Sequence, residues 1–198
     1  MSLFNRHPTR AQLLEQLAED LAKPVAKDPP PNWLTEHAEQ APENVRAEWV
    51  ALQRWVVDYT IQKTLVSYER VQPLWETVER RLRADLTTEP FLPYFQKIVN
   101  ERAKEYGDWF NVGLAKCTSA QPLFTFFGFV ATRILKPYQP VKVGIATFDQ
   151  EIEGADMFKN AAVVAALSHH ITRRLESTAE FLKTLEAKVP QMFDGPLK

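Results

Sequence analysis

Between Pro42 and Leu86 the apolar residues recur at the spacing of one long helical face, and this pattern constrains the fold more than any other feature of the chain. Val45, Trp49, Leu52, Val56, Tyr59 and Val66 follow steps of four and three, broken only at Lys63, and Val71, Trp75, Val78 and Leu82 continue an apolar face. That spacing keeps side chains on one side of a helix. Pro42 suits a first helical position, and an unbroken helix from there to Leu86 would reach roughly 65 Å. Pro73 lacks an amide hydrogen and its ring clashes with the preceding turn, so a kink is expected there. A second long helix is predicted over 156–189, where Ile171, Leu175, Thr178, Leu182, Leu185 and Val189 keep heptad spacing. The simplest packing sets these two helices roughly antiparallel.

The rest of the chain also favours helix. Glycines number 6 in 198 residues, and Leu, Ala, Glu, Lys, Arg and Gln fill the long segments. A first helix is predicted from Thr9, which has capping-box spacing to Gln12, to Lys23, with Pro24 as its stop. Residues 24–42 form a proline-rich strap, which Trp33 and Leu34 are placed to tack onto the bundle. After Pro90, Phe91, Phe95, Ile98, Arg102 and Tyr106 share a helical face, and Gly107 is a plausible residue just past the helix end. Asp108 is then placed to cap a short helix through Trp109 and Val112.

Residues 122–135 are predicted as a short helix of another kind. Phe124, Phe126, Phe127 and Phe129 point in widely different directions at helical spacing, so the helix is apolar all round and must be surrounded. Val141, Val143 and Ile145 alternate with Lys142, Gly144 and Ala146, the one strand-like stretch, expected as an extended loop. Residues 190–198 are expected to be a mobile tail. The fold class expected is therefore all-α, a single domain of about six helices. Two long helices (about 43–86, kinked near Pro73, and 156–189) lie around the short apolar helix 122–135.

Composition excludes several functions. The single cysteine, Cys117, permits no intrachain disulfide and no cysteine-based zinc site, and fits a reducing, cytoplasmic setting. No apolar run approaches the ~18 residues of a membrane span. Net charge is −1, without the basic field of a nucleic-acid-binding surface. Arg80, Arg81 and Arg83 and the pair Arg173 and Arg174 each stand among acids, so they read as solvated faces. Only residues 91–136 are net positive, with 6 basic against 3 acidic side chains.

Catalytic and metal motifs are absent. His169 and His170 are adjacent and diverge on a helix, and their i+4 neighbours are Arg173 and Arg174, which repel a cation. No Glu-x-x-His pair supports a di-iron bundle. Ser168 beside His169 lacks triad geometry, and Gly107 and Gly113 are isolated, without a phosphate-loop lysine. Asp149, Glu151, Glu153 and Asp156 suit a helix N-terminus better than a cation site.

No catalytic residue, cofactor or metal is therefore assigned, and no catalytic activity is evident, which leans against an enzyme and leaves that class open. The function expected is a helical protein–protein interaction or assembly subunit, with a protein partner or a homo-oligomer. Alternatives are a hydrophobic-ligand or membrane-surface module using 122–135, and an enzyme without a linear motif. The candidate interaction or pocket surface is Phe124, Phe126, Phe127, Gly128 and Phe129, with Trp109 and Phe110.

Overall fold

A computed structural model describes residues 8–65, 67–88, 92–116, 122–136 and 160–193. All regular structure among these residues is helical: α1 (Arg10–Lys27), α2 (Asn32–Thr35), α3 (Pro42–Leu65), α4 (Tyr68–Asp85), α5 (Leu92–Asp108), α6 (Pro122–Leu135) and α7 (Ala161–Lys188). Short 3-10 turns follow α4 and α7, and α5 runs into a π turn, Trp109–Gly113. The expected all-α bundle is present. The strand-like stretch 141–146, the acidic cluster 149–156 and Cys117 lie outside the described residues.

α1 starts as its sequence predicts. The Thr9 hydroxyl accepts from the Gln12 amide, and the Gln12 side chain accepts from the Thr9 amide. Its stop differs, because α1 continues through Pro24 to Lys27. Burial of Val25 and Ala26 in that last turn offsets the donor lost at Pro24. Arg46 then reaches back to the carbonyls of Ala26 and Asp28. The strap is tacked down as expected, with Leu34 buried and Trp33 packed against the core.

The 42–86 segment holds two helices, the first ending at Leu65 and the second starting at Tyr68, and Pro73 lies inside the second rather than at a break. Ser67 takes extended backbone as the N-cap of α4, and the Arg70 and Val71 amides donate to its carbonyl. Its hydroxyl makes no capping hydrogen bond. Pro73 then sits in the second turn of a new helix, anchored by the fully buried Leu74 and Val78. α3 and α4 are thus two helices.

α3, rather than 122–135, is the central element: it packs against α1, α4, α5, α6 and α7. Ala47, Val50, Val57 and Ile61 are buried on one side, and Val45, Trp49, Leu52, Trp55 and Val56 on another. The core accordingly has two parts that meet along α3. One joins α1, α3, α4, the first turns of α5 and the end of α7. The other joins α3, the end of α5, α6 and the first half of α7.

α7 runs in the same direction as α3, where the opposite was expected. The His170 ring meets Trp49, and Ser177 and Thr178 share a groove with Val57. Positions along the two helices therefore advance together. The heptad seam is spent inside the chain, with Ile171 and Leu175 on one core part and Leu182, Leu185 and Val189 on the other. The first residues of the expected tail are also anchored. Met192 and Phe193 are buried, and Arg10 Nε donates to the Met192 carbonyl at 2.9 Å.

Candidate functional site

The apolar helix α6 is enclosed by the chain itself. Phe126, Phe127, Gly128 and Phe129 are buried, as is Trp109, while Phe124 and Phe110 are partly buried against them. Trp109 stacks on Phe129 at 4.0 Å and 13°. Phe126 packs against Trp55 at 5.3 Å and against Phe110 at 5.2 Å. The strap closes the helix end, with the Glu39 amide donating to the Leu135 carbonyl at 2.6 Å and Gln40 Nε2 to the Arg133 carbonyl at 3.2 Å. The seven aromatic-cluster residues are therefore brought together, as core rather than as an open face. Leu123, at 55 % exposure, is the large apolar side chain of α6 left to solvent.

Beneath this cluster lies an ionic network with no counterpart in the sequence reading. Glu48, Arg102, Glu105 and Arg133 are all buried. Arg102 Nε donates to both Glu48 oxygens at 2.9 Å, and its Nη1 pairs with Glu105. Arg133 Nη2 donates to Glu105 at 3.1 Å, and its guanidinium lies 4.8 Å from the Phe129 ring centre. The Tyr106 hydroxyl donates to Glu48 at 3.0 Å. Burial pushes the Tyr106 phenol well above its usual range, so it remains a donor. Two guanidinium and two carboxylate groups sum to zero, which is how charge persists in an apolar interior. Sealed from solvent, this network holds α3, α5 and α6 together and offers no substrate access.

The accessible chemistry lies roughly two to three turns further along α3, past Glu48. A cleft of about 320 Å³ opens between α3, α4 and α5, beside the π turn. Trp55, Tyr59 and Trp75 give it aromatic surface, and Arg54, Asp58, Gln62, Asn100, Lys104 and Asp108 give it polar groups. Asp58 sits on its wall, with its side chain 19 % exposed. Trp75 Nε1 donates to Asp58 Oδ1 at 3.0 Å, and Arg54 Nε stands 3.7 Å from Oδ2, too far for a good hydrogen bond. Arg54 is committed elsewhere: Nη2 lies 2.5 Å from Glu79, and Nη1 donates to Asn100.

Two carboxylates thus share one guanidinium. Burial raises the Asp58 carboxyl to about 7; Arg54 and the Trp75 hydrogen bond pull it down, and the nearby Glu79 charge pushes it up. A carboxyl poised near neutrality in an open, partly aromatic cleft is the pattern of a binding or proton-exchanging site. The adjacent π turn fits that reading, since π turns inside helices concentrate at functional positions.

Gly107 forms part of this wall inside α5, rather than ending the helix as expected, and Asp108 has helical backbone with no capping hydrogen bond. A Cβ at position 107 would meet Trp55 Cδ1 at 3.7 Å, an ordinary contact. Gly107→Ala is therefore expected to stabilise the protein by about 0.5–1 kcal/mol through helix propensity. Thermal unfolding checks this; a lowered midpoint would mean the wall is packed more tightly than described.

No three His, Cys, Asp or Glu side chains converge as metal ligands among the described residues. His37 Nδ1 lies 2.9 Å from the Trp33 carbonyl oxygen. His169 is exposed, and His170 is half-buried with its ring 5.2 Å from Trp49. Burial holds the His170 imidazole below its usual value, with Arg174 adding to the shift. No described helix is long and apolar enough to cross a membrane.

No protein-family model, curated protein or solved structure matches the chain.

Proposed function

We propose that the chain is a cytoplasmic small-molecule-binding protein whose ligand occupies the cleft between α3, α4 and α5 and makes contact with the Asp58 carboxyl. The observation that carries this reading is the placement of Asp58. Its carboxyl is raised to about 7, lines an open cavity and is flanked by three aromatic side chains. The cavity falls at the small end of ligand sites, which span roughly 300–1,000 Å³. Aromatic walls with a few convergent polar groups suit an amphipathic organic molecule.

A fragment screen followed by ¹⁵N NMR tests this reading, because the five tryptophan indoles report different regions. Binders are expected to move the Trp55 and Trp75 indole resonances and to leave Trp33 and Trp49 in place. Binders that act only elsewhere, or none at all, would overturn the assignment.

An assembly role has one specific support of its own. Phe181, 38 % exposed, lines a groove of about 360 Å³ between α1 and α7 together with Leu21, Pro24, Val57 and Thr178. Light scattering of the wild type and Phe181→Ser across a dilution series distinguishes the two. A self-assembling chain would lose mass on substitution, and a strict monomer in both cases would leave the cleft as the functional feature.

A further inference from the structure

We propose that the cleft's ligand is an amine, whose protonated nitrogen seats on Asp58 Oδ2 while its apolar body lies against Trp55, Tyr59 and Trp75. This rests on the reading of the cleft as a ligand site. Among the described residues the one hydrogen bond to Asp58 comes from Trp75 Nε1, on Oδ1. Oδ2, on a side chain that lines the cavity, therefore has an acceptor position with no hydrogen-bond donor among the described residues. Arg54 does not fill it: Nη1 and Nη2 are taken by Asn100 and Glu79, and Nε, at 3.7 Å from Oδ2, makes no hydrogen bond. A charged N–H donor completes Asp58, and aromatic faces favour a cation over a neutral group of equal size.

The surrounding charges agree. On α3 the group facing Asp58 is Arg54, with Lys63 further along, 5.6 Å from the Tyr59 ring centre. On α4 it is Glu79, whose second oxygen lies 3.9 Å from the outward Arg83. On α5, Lys104 and Asp108 stand exposed at the rim and offset one another. Asp58, Glu79 and Arg54 leave one negative charge in the wall, or one proton in its place. An anionic ligand meets the opposite problem, because the Arg54 terminal nitrogens already have partners.

The exchange balances simply. An ammonium ligand enters, the Asp58 carboxyl gives its proton to solvent, and an ion pair replaces the neutral acid. Below about pH 7 the ammonium ligand must displace that proton, so its affinity falls about tenfold per pH unit.

Phenethylamine and its neutral counterpart 2-phenylethanol test the inference, with the Trp55 and Trp75 indole resonances as the readout. The amine is expected to bind with a dissociation constant on the order of 1 mM near pH 8, and the alcohol at least about tenfold more weakly. Asp58→Asn is expected to bring the amine to the level of the alcohol. Equal binding of both compounds in the cleft would overturn the amine while keeping the ligand site. No movement of either indole with either compound would overturn both.

Discussion

Replacing Arg102 by alanine is expected to destabilise the protein by roughly 3–5 kcal/mol, because it leaves the Glu48 carboxylate buried without a cation and takes one of two cations from Glu105. Neither has solvent to turn to: Glu48 keeps the Tyr106 hydroxyl, which carries no charge, and Glu105 keeps Arg133. A loss of that size is a large part of the ~5–15 kcal/mol that holds an ordinary domain folded. Lys97→Ala, on the same helix, is the control. Its contact with Glu101 is 3.9 Å long and exposed, and its loss is expected to cost less than about 0.5 kcal/mol. Urea unfolding measures both. Equal small losses would mean that water reaches the Arg102 network. Adding Glu48→Gln to the Arg102 variant is expected to recover part of the loss, as paired groups are not additive.

Asp58→Asn is expected to behave in the opposite sense, stabilising the protein at alkaline pH and having little effect in acid. In the folded chain the carboxyl titrates near 7, against an ordinary value of 3.8. Between those values the folded state holds a proton that the unfolded state has released. Stability from this group is therefore full below about pH 4, falls as pH rises, and is lost once pH passes about 7. Asparagine fills the same space, can still accept from Trp75 and carries no charge to desolvate. Its advantage over aspartate is expected to be on the order of 3 kcal/mol near pH 8 and to shrink toward zero near pH 4. Urea midpoints of both proteins across that range measure it. A difference that stays constant with pH would place the folded and unfolded carboxyl values together.

Features set by local chemistry were legible in the sequence. The Thr9 and Gln12 box needs only four residues, and the stripe of Leu13, Leu14, Leu17 and Leu21 needs only one helix. Pro24 and Pro73 read as interruptions because the local rule sees the missing donor. It does not see that Val25, Ala26, Leu74 and Val78 are buried by helices far away in the chain. The direction of α7 relative to α3 was illegible for a similar reason. A heptad seam records that a helix has a partner, and carries no sign for which way the partner runs.

The aromatic helix was legible as a surrounded element, and its burial by α3, the π turn and α7 satisfies that requirement. What encloses it could be read only in three dimensions. The ionic network left one trace: Arg102 shares an apolar face with Phe95, Ile98 and Tyr106, and a cation there demands a buried anion. Its partner Glu48 is 54 residues away, so no spacing joins them. The cleft left less. Asp58 meets Trp75 across 17 residues, and Asn100 reaches Arg54 across 46. An acid between Val57 and Tyr59 on a largely apolar helix was the available sign.

The proton on Asp58 is the central claim, and the Trp75 indole N–H bonded to that carboxyl reports it directly. Its ¹H and ¹⁵N resonances, followed between about pH 4 and pH 9, are expected to move together in one step with a midpoint about 7, and the step is expected to vanish in Asp58→Asn. A resonance that stays flat through neutrality and moves only near pH 4 would show an ordinary ionised aspartate, and would contradict the account.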